Sequence, residues 1–123
     1  MKLFTQTQYD QLIENGKDMG EYKDHHPVVR LYITGTACTW LLTELCPDEP
    51  DIAFGLCDLG MGFPEIGYVS IQEITDAQGP FQRLERDLYF NGEYPISVYA
   101  EAARDIGQIT LDETVLKQAA YKL

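Results

Sequence analysis

The chain has 123 residues, 45% hydrophobic and 24% charged, which suits one folded domain (1–123) with one core rather than a disordered chain. Its formal net charge is −11. That sign disfavours direct binding to nucleic acid, where clustered Lys and Arg must displace counterions. No apolar run is long enough to form a transmembrane helix, so no membrane span is expected. The opening, MKLFTQTQYDQ, lacks the apolar centre and small-residue cleavage site of a signal peptide, which leads us to expect a cytoplasmic protein. Cys38, Cys46 and Cys57 are odd in number with no CxxC spacing, and read as free thiols rather than metal ligands.

Taken in order, residues 5–15 (TQTQYDQLIEN) spell a helix. Thr5 or Thr7 can cap it, and Tyr9, Leu12 and Ile13 make its apolar stripe. Phe4 can staple its start, and Gly16 suits a left-handed C′ position. Residues 17–27 are polar and read as a loop, with His25 and His26 adjacent. Residues 28–34, 39–45, 52–59 and 63–71 are strands, separated by short turns and the proline-containing CPDEPD loop. Such spacing predicts an antiparallel meander. Ser70-Ile-Gln-Glu73 is a capping box that opens a short helix to about Ala77. Leu84–Phe90 alternates like a fifth strand, and Asn91-Gly92 is a turn. Pro95–Ile106 is a helix ended by Gly107, and Thr110-Leu-Asp-Glu113 is a second capping box before a last helix through Ala120. Ser70 and Ser97 both read as caps. The expected fold class is therefore α+β: an antiparallel sheet of about five strands with helices packed on it.

The centre of the chain is Phe54–Ile71, FGLCDLGMGFPEIGYVSI, two strands about a glycine turn. Pairing Thr34 with Thr39, Leu45 with Ile52 and Leu59 with Ile66 sorts the side chains by face. One face carries Tyr32, Leu41, Leu45, Ile52, Phe54, Leu56, Val69 and Ile71. The other carries Val29, Leu31, Ile33, Trp40, Leu42, Cys57, Leu59, Ile66 and Tyr68. Both faces are apolar, where a solvated face would alternate with polar residues. Either helices cover both, or one face binds something. Gly55 marks a place where a helix or ligand can approach the backbone closely.

Several blocks together resemble one family. They are HPVVRLY, TWLLTELCPDEPDIAFGLCDLGMGFPEIGYVSI, ERDLYF, the PISVYAEAAR helix with its glycine, and the opening T…Y..LIENG helix. On these blocks the chain resembles the domain of unknown function 2958 family over residues 3–109. That resemblance implies no catalytic residues. It implies a small bacterial protein, with an accessory role in a mobile element, and makes residues 110–123 a C-terminal helical extension.

Charge is unevenly placed. Between Arg30 and Arg83 there is no Lys or Arg, while Glu44, Asp48, Glu49, Asp51, Asp58, Glu65, Glu73 and Asp76 all lie there. A basic protein surface is the natural partner for such a segment. One such partner is a nucleic-acid-handling enzyme whose phosphate track the acids would occupy. Acidity of this kind also confers solubility alone.

The candidate binding residues are Trp40, Glu44, Asp48, Glu49, Asp51, Asp58, Glu65 and Tyr68. Trp40 and Tyr68 suit the core, but side by side on an open face they would form a hot spot. Arg86 is expected to pair with an acid of the central hairpins. GMGFP lacks the Lys-Ser/Thr of a phosphate loop. No catalytic residue, metal site or cofactor is assigned. The expected function is a non-catalytic interaction module for a protein with a basic surface. The alternative is a metal-assisted hydrolase at the Gly60–Gly62 turn, with Asp58 and Glu65 paired across the hairpin and His26 nearby. The plainer reading has Asp58 bonding turn N–H groups, Glu65 solvated and the histidines in a loop.

Overall fold

A computed structural model describes residues 3–123. The elements are α1 (Gln6–Gly16), β1 (Val29–Ile33), β2 (Thr39–Leu45), β3 (Ile52–Asp58), β4 (Glu65–Ser70), α2 (Ile71–Asp76), β5 (Leu84–Arg86), α3 (Ile96–Ile106) and α4 (Glu113–Lys122). Every strand pairing is antiparallel, and the sheet order is β4-β3-β2-β1-β5. The first four strands form the expected meander. The fifth crosses over through α2 to the free edge of β1.

Helices pack on both faces of the sheet, leaving the Phe54–Tyr68 end of the first face to the α1–β1 loop. On one face α3 and α4 pack Ile96, Tyr99, Ala103, Leu116 and Ala119 against Leu41 and Leu56. On the other, Leu12 of α1 and Ile74 of α2 join Leu31, Trp40, Leu42, Leu45 and Ala53. We call these the first and second faces.

The register departs from the expected one in three places. The β1–β2 hairpin pairs Tyr32 with Thr39, a slip of two that preserves every face. The β3–β4 loop is longer than expected: Cys57 pairs with Glu65 and Leu56 with Ile66. Its odd shift moves Ile66 and Tyr68 to the first face and Val69 to the second. The third departure is a bulge. Leu42 opposes Gly55 and Glu44 opposes Phe54, so Thr43 is the extra residue. Beyond it Leu45 turns into the second core rather than the first. The bulge is tied from two sides: Asn15 of α1 donates its amide to the Thr43 carbonyl at 2.9 Å, and the Thr43 hydroxyl lies 3.1 Å from both the Phe54 carbonyl and Glu44 Oε1, which share its one proton.

Local signals worked where the bond partners are sequence neighbours. Thr5 caps α1 in a full capping box with Gln8, Ser70 caps α2, and Gly107 ends α3 at φ +80°. They failed where a distant residue takes over. Gly16 is helical, not left-handed; a Cβ on it would lie 1.8 Å from the Leu45 carbonyl oxygen, so it is glycine for close packing of α1 on β2. Ser97 does not cap α3; Asp24, from the α1–β1 loop, accepts from its backbone N at 3.0 Å and its hydroxyl at 2.6 Å. A purely local shift of two residues also occurs: the last helix is capped by Asp112 rather than Thr110.

The fifth strand stops at Arg86. Asp87 instead accepts from the Tyr89 amide at 2.9 Å and pairs with Arg30 at 3.0 Å, which turns the chain away. The Arg30 guanidinium of that pair lies over the Tyr32 ring, 4.8 Å from its centroid. The three cysteines are free and partly buried, and burial pushes the Cys57 thiol up to about 11. Among the described residues no helix is long and apolar enough to cross a membrane.

Candidate functional site

Two surface features stand out beside the cores. The first is a small cavity on the first face, beyond the reach of α3 and α4. Its floor is Glu44, delivered there by the bulge. Its walls are Phe54 of β3, Tyr68 of β4 and residues 20–23 of the α1–β1 loop, with Tyr22 foremost. The cavity holds about 110 Å³. Phe54 and Tyr68 meet edge to face, ring centroids 4.9 Å apart.

The loop that closes this cavity is held from several sides. Lys23 pairs with Asp18 at 2.9 Å, and the Tyr22 hydroxyl reaches Asp24 at 3.4 Å. Asp24 in turn holds the first turn of α3, and the His25 carbonyl accepts from Ile96 N at 2.8 Å. His25 Nε2 is buried without a partner among the described residues.

Glu44 is only 6% exposed. Its Oε1 accepts from the Thr43 hydroxyl at 3.1 Å. Burial raises its pKa above the ordinary carboxylate value; Thr43 and His25 oppose that rise, and the charge of Asp18 adds to it. A raised folded-state pKa means that the native protein holds the proton more tightly than the unfolded chain. The linked stability is present below the unfolded pKa and is lost as pH rises through the folded one. Glu44→Gln is therefore expected to melt higher than the parent at neutral pH, with the gap closing below about pH 4, where the parent carboxyl becomes protonated in both states. Paired thermal melts across that range check it; a variant that melts lower at neutral pH would show that the ionised carboxylate stabilises the fold.

The second feature is one of the two edges of the sheet. β4 has no strand on its outer side. The loop that leads into it carries Leu59, Met61 and Phe63, which are 59%, 73% and 80% exposed, and Tyr68 on β4 is 59% exposed. Three large apolar side chains thus stand exposed on the loop that enters this edge strand, and Tyr68 lies further along β4, opposite Phe54.

The candidate residues read from the sequence separate into groups. Glu44 and Tyr68 line one cavity. Trp40 is buried in the second core, on the opposite face from Tyr68, so the two do not form a hot spot. Asp58 and Glu65 are not paired across the hairpin. Glu65 opposes Cys57 and is exposed on the second face, whereas Asp58 is buried toward the first. Both Asp58 oxygens are engaged, one by Gly60 N at 2.8 Å and the other by Ile109 N at 2.9 Å. His26 lies elsewhere, with Nδ1 2.7 Å from the Gly92 carbonyl. Asp51 takes the Ser70 hydroxyl at 2.6 Å and the Gln72 amide at 2.9 Å, anchoring the start of α2. Asp48 and Glu49 are free-standing and exposed in their loop. Sequence reasoning missed Tyr22, whose only signal was an aromatic isolated in a polar loop. It also missed the apolar tip, because strand parity had placed Leu59 on a face.

A five-stranded antiparallel sheet clad by helices on both faces defines the class as an α+β domain. Residues 3–110 match the family described as "Protein of unknown function (DUF2958)", and the chain belongs to that family. The match ends before α4, yet Leu116 and Ala119 of that helix sit in the first core. Searches of the curated proteins and of the solved structures find no match.

Proposed function

We propose that this protein is a non-catalytic interaction module that docks the β4 edge of its sheet on a protein with a basic surface. The observation that carries this reading is the exposed tip of Leu59, Met61 and Phe63 beside an unpaired strand edge. A hydrophobic tip of this kind is the usual centre of an interface, with charge at its rim. The charge on this edge is of one sign: Glu65 opens β4 beside the tip, Asp48, Glu49, Asp51, Glu73 and Asp76 stand exposed toward the other end of β3 and β4, and no Lys or Arg lies between Arg30 and Arg83. With −11 on each chain, two copies repel, and a basic partner is favoured over self-pairing of edges.

The test uses a partner captured from a lysate of the native host and then purified. Its affinity is measured for the parent and for the double variant Met61→Ser/Phe63→Ser. These side chains are solvent-exposed, so the fold is expected to melt within about 0.5 kcal/mol of the parent. Binding is expected to weaken by about 2 kcal/mol or more, and association with the parent to slow as salt is added, because exposed charges are screened. Changing Asp48 and Glu49 to Asn and Gln is expected to lower the association rate; Asp51 is left intact because it anchors α2. A partner that binds the tip variant as well as the parent, or whose binding ignores salt, sinks this reading.

A further inference from the structure

We propose that the Glu44 cavity is a socket for the ammonium group of a lysine side chain, free or methylated, presented by the partner protein. The proposal rests on the reading above for the source of the lysine, and on the cavity itself for its chemistry.

Three aromatic rings and one carboxylate define that chemistry. Tyr22, Phe54 and Tyr68 wall the cavity and Glu44 floors it. Ring faces carry negative charge density, so a cation enclosed by rings is attracted to each of them. A carboxylate beneath adds a full charge in a place where water screens it poorly. Size narrows the ligand. At about 110 Å³ the cavity lies below the roughly 300–1,000 Å³ of sites for cofactors and drug-sized molecules. It has room for the end of one side chain.

Charge narrows it further. Lys23 also lines the cavity, but its ammonium is engaged with Asp18 at 2.9 Å. Glu21 stands at the exposed rim. An incoming group therefore meets Glu21 and Glu44, with Lys23 already paired. Lysine suits the floor better than arginine. Glu44 Oε1 already has the Thr43 hydroxyl 3.1 Å away, a donor whose single proton it shares with the Phe54 carbonyl. A guanidinium fork binds best to two open carboxylate oxygens, whereas an ammonium needs only one and brings a flexible apolar stem that lies along the rings.

The position of Glu44 supports a functional reason for its presence. A bulge is needed to rotate it into the cavity, and burial works against its charge. A group that is held where it destabilises the free protein is what a binding site requires of its ligand's counter-charge.

The experiment follows the aromatic proton resonances of Tyr22, Phe54 and Tyr68 in the full chain. The probes are n-butylammonium and the amide of trimethyl-lysine, with 3,3-dimethylbutanol as the uncharged shape match and n-butylguanidinium as the arginine match. We expect saturable shifts at all three rings with an ammonium probe, and binding at least about tenfold weaker for the alcohol. Glu44→Gln, which is expected to fold at least as well as the parent, should weaken the ammonium probes about tenfold. Tyr68→Leu, at an exposed position, should weaken them while the melting temperature holds. Equal binding of alcohol and ammonium, an unchanged affinity in Glu44→Gln, or tightest binding by the guanidinium would each overturn the lysine socket. The two readings fail separately. A partner that needs the Met61–Phe63 tip but binds Glu44→Gln normally removes the socket alone. Ammonium probes that fill the socket while no basic partner responds to the tip variant remove the docking surface alone.

Discussion

Gly55→Leu is expected to lower the unfolding free energy by about 3 kcal/mol, and Gly55→Ala by nearly as much, at the upper end of what overpacking costs. A Cβ at position 55 would lie 2.0 Å from the Leu41 carbonyl oxygen and 2.9 Å from Leu42 Cα. The obstacle is backbone rather than a side chain, so it cannot be relieved by a rotamer change. The cause is the bulge at Thr43, which brings the β2 backbone over Gly55. The close approach read from the sequence is therefore real, but the neighbour is the adjacent strand and not a helix or ligand. Urea unfolding followed by circular dichroism measures the effect. Gly67→Ala is the control: Gly67 pairs with Gly55 across the β3–β4 ladder, and a Cβ there meets nothing within 4 Å. It should change stability by no more than about 0.5 kcal/mol. If Gly55→Ala unfolds with Gly67→Ala, the backbone contact does not exist in solution.

Asp58→Ala is the second large loss, expected to destabilise by about 3 kcal/mol, since hydrogen bonds to a charged group contribute about 1.5–3 kcal/mol each. The Asp58 carboxylate is 2% exposed and takes two backbone amides, one in its own turn and one at Ile109. The second bond fastens the α3–α4 connection to the end of β3. Asp58→Asn keeps one acceptor oxygen and should lose about half as much. Hydrogen exchange distinguishes this from a general weakening. Amides of α4 should lose protection first, because that helix is held by the Asp58 anchor, by Leu116 and Ala119, and by the Tyr94 hydroxyl on Glu113 at 2.6 Å. Uniform loss across α1 and α4 would mean that Asp58 supports the whole sheet instead. With both oxygens engaged in backbone bonds, Asp58 behaves as the turn-bonding residue that the plainer reading of the sequence described.

Strength of signal followed the distance over which each choice is made. Thr5 with Gln8, Ser70 with Glu73 and Gly107 specify helix ends through bonds within a few residues, and these ends stand where expected. Alternation and turn spacing likewise specify the meander and its two apolar faces. Among the candidate site residues, Glu44 was legible as one of the central acids, and Tyr68 as an aromatic suited to the core or, on an open face, to binding. What placed them together was not legible. An unbroken strand would send Glu44 to the second face, and an expected pairing of Leu59 with Ile66 sends Tyr68 there too.

The sequence by itself determined the α+β class, the strand count, the helix positions and the acidic middle, because periodicity and composition are local properties. Only the tertiary structure decided the faces beyond Leu42 and Cys57. A bulge or a longer loop shifts pairing by an odd number, and with a side-chain period of two each such shift reverses everything downstream. The same holds for residues whose partners are far along the chain. Asp24 caps α3 from the α1–β1 loop, Gly16 makes room for Leu45, and Asp58 reaches Ile109. Nothing in the immediate neighbourhood of these residues encodes the contact. Packing selects it, by satisfying buried backbone groups that no nearby side chain reaches.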